Sequence, residues 1–257
     1  MPYIKRMQKA GNVIFVNKYH TYRYNDPDIS QRERRRVKYQ KTSEKQQAIN
    51  DRNSAQRFVE YGCENFTPGI AMFIRFGYRR EEKPESLEAA HELFRKFLKK
   101  LKRKNKELKY MGVAEEGSKG GLHHHLLAED VDLNELCKLW PYGEVKVVRT
   151  YTGELSQLIS YLTKGELDDM VEEKDRAKQH KGVKRLLRTK SANLHKPQKA
   201  IKKIVKAKTF TERPKSVKVD GVMYDVKAGS EYMGVTEDGY LYQRYILIRR
   251  DSDRRVT

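Results

Sequence analysis

The chain has 257 residues, 55 Lys and Arg against 35 Asp and Glu, a formal charge of +20 and only 37% hydrophobic residues. That length allows one sizeable core, or a core with an appendage, and the charge points to a polyanionic partner, most simply nucleic acid. No apolar run approaches the roughly 18 residues of a membrane span, the start MPYIKRMQKAGNV lacks a secretory signal, and Cys63 and Cys137 form no spaced pattern, which fits a reducing cytoplasm.

Residues 1–40 are polar, rich in Tyr and Arg and weakly patterned, with a turn at Asn25–Pro27. A helix is predicted from about Ser43 to Tyr61, capped at Thr42 or Ser43 and ended by Gly62. After the punctuation Thr67-Pro68-Gly69, the apolar run Ile70–Phe76 suits a buried strand. Pro84-Glu85-Ser86 opens a second helix. Leu87, Ala90, Leu93, Phe94, Phe97, Leu98 and Leu101 fall on one stripe of it, and Lys and Arg fill the other.

Next comes a hairpin: strand Leu108–Glu115, a glycine-rich turn from Glu116 to Gly121, and a return strand Leu122–Leu127. Asp132–Trp140 reads as a helix, Glu144–Arg149 as a strand and Gly153–Lys164 as a further helix. From about Val217 the alternating stretches VKVDGVMYDV and YLYQRYILIR read as small hairpins. The order predicts an α+β fold, a central antiparallel sheet with helices packed on it and a small β-rich C-terminal region. The expected division is a basic N-terminal region with a helix at 1–64, a main domain at 65–205 and a small β-rich region at 206–257.

The charge is concentrated. Residues 171–210 hold 14 Lys and Arg against 3 acids, residues 95–109 hold 9 against one Glu, and a third run lies at 31–41. Such blocks are solvated faces or polyanion contacts.

Two segments carry chemistry. In Leu122-His123-His124-His125-Leu126-Leu127, strand alternation turns His123 and His125 to one face and His124 to the other. Two imidazoles about 7 Å apart along a strand can grip a divalent cation, and Glu115 or Glu116, across the turn, can add a carboxylate once register is fixed. Two His and one carboxylate leave positions open for phosphate or water. Nitrogen and oxygen ligation without thiolate suits Mg²⁺ or Mn²⁺, and zinc stays open. A chance histidine patch is the competing explanation. In Gln157–Gly165, Tyr161 and Lys164 share one helix face. A phenol, with a pKa near 10, is a weak nucleophile until a cation favours its phenolate. Tyr151 lacks a Lys three residues on and ranks below Tyr161.

These residues resemble the HUH endonuclease superfamily, in particular single-tyrosine rolling-circle replication initiators of phages and plasmids. Its motifs fall in order: the apolar strand Ile70–Phe76, where the usual Thr residues are replaced; His123-His124-His125, where His124 stands at a bulky apolar position; and Tyr161 with Lys164. Val113-Ala114-Glu115 resembles the family's Val-x-Glu and supports Glu115 as third ligand. Ser191-Ala192-Asn193-Leu194-His195-Lys196-Pro197 resembles a segment of phage replication-associated proteins.

The resemblance implies a metal-dependent nicking and joining enzyme for single-stranded or hairpin origin DNA. His123, His125 and Glu115 would hold Mg²⁺ or Mn²⁺, Tyr161 would attack to leave a 5′-phosphotyrosine, and Lys164 would stabilise charge. Lys99, Lys102, Arg103, Lys184, Arg185 and Arg188 would track phosphates. Tyr142, Tyr151 and Trp140 can stack on bases, with core packing the expected use of Trp140. No G-x-x-x-x-G-K-[ST] occurs, so strand separation is expected of a host helicase and synthesis of a host polymerase, in the cytoplasm of a bacterial host and away from membranes. Two alternatives stand beside this: a relaxase or single-strand transposase with the same chemistry, and a non-catalytic basic regulator that binds without cutting.

Overall fold

The computed structural model describes residues 3–20, 44–117, 120–151, 153–163, 186–206, 209–235 and 239–250, with the backbone alone for 44–49. In chain order these hold β1 (Tyr3–Ala10), β2 (Val13–His20), α1 (Glu44–Asn65), β3 (Met72–Gly77), α2 (Leu87–Lys104), β4 (Tyr110–Glu116) and β5 (Leu122–Ala128). Then follow α3 (Leu133–Leu139), β6 (Val145–Arg149), α4 (Ser156–Tyr161), β7 (Leu187–Lys190), β8 (Ile201–Val205) and β9 (Ser216–Val219). The chain closes with β10 (Val222–Val226), β11 (Tyr232–Val235) and β12 (Leu241–Arg249). The architecture is α+β with antiparallel sheets, as the element order predicts. Among the described residues no helix is long and apolar enough to cross a membrane.

Two compact units form, residues 61–196 and the two chain ends, 1–60 with 197–257. Sequence patterning separates an N-terminal region from a C-terminal tail. Pairing instead joins them, because β2 lies between β1 and β12 in one sheet of order β8-β1-β2-β12-β10-β9, with β11 on β12. The hairpin β1–β2 buries Ile4 and the run Val13–Val16 beside two polar residues, Gln8 and Lys18. Gln8 donates to the Gln198 carbonyl, and the Lys18 ammonium donates to the carbonyls of Phe210, at 2.8 Å, and Glu212. Burial holds the Lys18 pKa below its ordinary value, with Lys5 adding to the effect and Glu212 opposing it.

The 61–196 unit is built on a five-stranded sheet, β6-β3-β5-β4-β7. On one face α2 lays down Leu87, Ala90, Phe94, Phe97, Leu98 and Leu101, all buried. Its start is fixed by Ser86, whose Oγ accepts from the Ala89 N–H at 3.1 Å. Lys102, Arg103 and Lys104 in its last turn suit the negative end of the helix dipole. The core under it joins Ile74, Phe76, Leu126 and Ala128 of the sheet to Trp140, whose indole N–H donates to the Gly77 carbonyl at 3.2 Å. Gly112 on β4 lets α2 come this close: a Cβ there would lie 3.0 Å from the Phe94 ring and 3.1 Å from the His125 carbonyl.

The segment from Ser191 to Leu194 has a structural use. The Ser191 N–H donates to the Tyr110 carbonyl and its Oγ accepts from the Tyr110 N–H, Asn193 Nδ2 donates to the Glu107 carbonyl, and Leu194 is buried. These contacts prolong the edge pairing of β7 with β4 beyond the strand.

Candidate metal centre and its sheet face

The pairing of β4 with β5 sets Glu115 opposite His123 and Val113 opposite His125. Alternation therefore puts Glu115, His123 and His125 on one face of the sheet, and Glu116 and His124 on the face that α2 covers. Glu115 Oε2 lies 3.5 Å from His123 Nε2 and 3.5 Å from His125 Nε2. One ligand atom from each of the three lies within 4.8 Å of the others. Atoms bound about 2.1 Å from a common cation stand about 3.0–3.4 Å apart, so the donor set fits a metal ion with little adjustment. The choice between Glu115 and Glu116 that the sequence leaves open falls, in geometry, to Glu115. Glu116 instead lines a cavity of about 320 Å³ with Lys83, Glu85 and Glu88.

The imidazoles are held by packing. Phe73 of β3 stacks on His125 with centroids 5.2 Å apart, and the rings of His123 and His125 meet at 86° and 5.0 Å. His124 behaves as a core aromatic. It is fully buried, stacks on Phe94 at 4.2 Å and 3°, and its Nε2 lies 2.7 Å from the Tyr78 hydroxyl. Burial, with His91, His123 and His125 adding, pushes its pKa down to about 3, so the ring is neutral. A planar neutral imidazole thus fills the place of the bulky apolar residue.

On the same sheet face, α4 brings Tyr161 to the cluster. Its ring centroid is 6.3 Å from that of His125, edge to face at 78°, and the residue is 56% exposed. The helix is anchored by buried Ile159, which packs where Gly62 has no side chain, and by buried Leu162. It is shorter than the spacing predicts: Gly153 has φ +111° and Ser156 opens the helical run with its N–H bonded to the Glu154 carboxylate. Tyr151, the rival tyrosine, is 85% exposed just after β6. Lys164, Lys184 and Arg185 lie outside the described residues, as do the basic run 31–41 and residues 171–185 of the long basic block.

The other candidate phosphate contacts separate by face. Lys99 and Arg103 stand on α2, whose packing face meets the His124 side of the sheet, so they lie across the sheet from the Glu115 cluster. With Lys96, Lys100, Leu139 and Tyr142 they line a cavity of about 230 Å³. Lys102 is engaged within the fold: its ammonium donates to the Leu108 carbonyl and to Asn193 Oδ1, each at 2.9 Å. Trp140 is core, as expected.

Arg188 stands on the cluster's face, opposite Val113. Sequence reading passes over two further cations there. Arg75 pairs with His125 on one side and with Lys146 on the other. A single cross-strand row therefore runs Lys146, Arg75, His125, Val113, Arg188. The signal was present in strand alternation, since Arg75 interrupts an otherwise apolar run and must face away from α2.

No curated protein sequence matches the chain, and no solved structure does. Residues 71–166, which span Glu115, His123, His125, Tyr161 and Lys164, match the family model of replication-associated protein ORF2/G2P, a similarity that supports a replication initiator.

Proposed function

We propose that the chain starts rolling-circle replication by nicking and rejoining single-stranded DNA through a tyrosine ester. The observation that carries the reading is the position of Tyr161, an exposed phenol whose ring lies against His125, one of three metal-class donors gathered on one sheet face. The match of residues 71–166 to a replication-associated family agrees with it.

Glu115, His123 and His125 would hold Mg²⁺ or Mn²⁺, which when bound polarises a phosphodiester and favours expulsion of its leaving oxygen. Tyr161 Oη attacks phosphorus and gives its proton to solvent, the P–O3′ bond breaks, and the departing O3′ takes a proton from solvent, leaving a 5′-phosphotyrosine and a free 3′-hydroxyl. A later 3′-hydroxyl reverses the step at the same phosphorus. Arg75, Lys146 and Arg188, in the row with His125, hold the neighbouring phosphates, and Phe73 keeps the imidazole oriented. Lys164 remains the candidate for charge stabilisation at the phosphate. Lys184 and Arg185, with Lys99 and Arg103 on the far side of the sheet, contribute sequence-independent attraction. Host helicase and polymerase would act on the opened strand.

The test is incubation of the full chain with a labelled, randomised single-stranded DNA library and Mn²⁺, followed by denaturation in detergent. A covalent protein–DNA adduct that needs metal and disappears in Tyr161→Phe is expected. Binding without any adduct would favour a non-catalytic DNA-binding regulator. An adduct that persists in Tyr161→Phe would overturn the choice of nucleophile.

A further inference from the structure

The terminal unit carries a cluster that the nicking reading does not use. In the sheet of that unit, Lys5 on β1 is directly opposite Lys203 on β8 and Lys18 on β2. Opposed residues of an antiparallel pair have their Cβ atoms about 5 Å apart, and like charges so placed repel. The row is not neutralised: among the described residues no carboxylate forms an ion pair with Lys5 or Lys203. Elsewhere in the unit Arg6 is paired with Glu60, Arg213 with Glu231 and Arg250 with Asp225. Only Lys18 is satisfied internally, by the carbonyls of Phe210 and Glu212. Burial and the neighbouring Lys203 both hold the Lys5 pKa below its ordinary value.

The next row on the same face is aromatic. Tyr3 is opposite His20, edge-on at 5.5 Å, and His20 stacks on Tyr240 at 3.8 Å and 2°. Rows two residues apart along a strand are separated by about 6.6 Å. A repelling pair of ammonium groups beside a wall of rings is the combination that holds an unpaired strand, with phosphates on the cations and bases on the π-faces.

We propose that this face of the terminal unit binds single-stranded nucleic acid, Lys5 and Lys203 holding phosphates and Tyr240, at the end of the stack it makes with His20, receiving a base, while Tyr3 packs on buried Phe210. The site does not depend on the nicking chemistry, and a test without divalent metal keeps the two apart.

The full chain is titrated with fluorescent oligothymidylate in EDTA at several salt concentrations. Lys5→Ala/Lys203→Ala is expected to weaken binding about three- to tenfold at 100 mM salt and to flatten the log K against log salt slope by about 1.4, two single-strand phosphate contacts. The control pair Lys215→Ala/Lys218→Ala, exposed positions with the same change in charge, is expected to shift affinity less than about twofold. Tyr240→Leu should weaken binding about fivefold or more with the slope unchanged. Equal losses in the two lysine pairs, or none in either, would overturn the phosphate site. An unaffected Tyr240→Leu, or equal affinity for a duplex of the same length, would overturn the single-strand assignment. Thermal melts check folding, and Lys5→Gln/Lys203→Gln replaces the alanine pair if it unfolds.

Discussion

At the scale of single residues, the roles proposed for Glu115 and Tyr161 separate metal binding from chemistry. Glu115→Gln keeps the shape of the carboxylate and removes its charge, so metal-dependent adduct formation is expected to fall by about a hundredfold or more. Excess Mn²⁺ should restore part of it, read as a shift in the metal titration midpoint. Tyr161→Phe should abolish the adduct and leave oligonucleotide affinity in EDTA within about twofold, because the hydroxyl alone is lost. The grouping of Glu115 with His125 was legible in the sequence, since alternation gives them a common face once the hairpin register is known. The register itself was not, since the turn has several permissible lengths and a one-residue slip exchanges Glu115 for Glu116. His91 on α2 gives a pH test. Burial, then Arg95, lowers its pKa, partly opposed by Glu92. The unfolded chain therefore takes up its proton near pH 6.5 while the native state does not, and stability falls as pH drops below that value. Denaturant melts between pH 7.5 and 5 should show a shallower acid loss in His91→Leu than in the parent.

At the scale of elements, periodicity explains which parts of the fold could be read. Helix α2 was visible from its apolar stripe and Ser86 cap, and it extends three residues past Leu101 because Lys102, Arg103 and Lys104 favour a helix C-terminus. Strand β3 was visible from the apolar run Ile70–Phe76, β4 and β5 from the glycine-rich turn between them, and β6 from the stretch Glu144–Arg149. Strands β1 and β2 were passed over: the apolar run Val13–Val16 of β2 was there to be read, while the burial of Gln8 and Lys18 on hydrogen bonds to distant carbonyls is a tertiary arrangement that hydropathy cannot express. Close packing between α2 and β4 yields another prediction. Gly112→Ala forces the added methyl against the Phe94 ring and a backbone carbonyl that cannot retreat, so a loss of about 1–3 kcal/mol in denaturant melts is expected. His124→Phe should fold with near-parent stability, as the ring stacks on Phe94 and gives up only the Tyr78 contact.

At the scale of the whole molecule, the +20 charge is a statement about association, and its parts act at different places. Arg75, Lys146 and Arg188 share the face of the Glu115 cluster, while Lys99 and Arg103 do not. Arg75→Ala/Lys146→Ala should therefore depress adduct yield at limiting DNA and flatten the salt dependence by about 1.4. Lys99→Ala/Arg103→Ala should weaken binding alone, with adduct yield recovered at saturating DNA. Composition announced a nucleic-acid partner, but it could not say which lysines are occupied within the fold, as Lys102 and Lys18 are.

Because β2 hydrogen-bonds to β1 on one side and to β12 on the other, the β1–β2 hairpin leaves the ribosome about 220 residues before β12 covers its second edge. Throughout synthesis of the intervening chain that edge is an open template for pairing with another copy. Production at low temperature or with a chaperone should raise the yield of monomer, and a stop codon before Leu241 should give aggregates in place of a trimmed but soluble product.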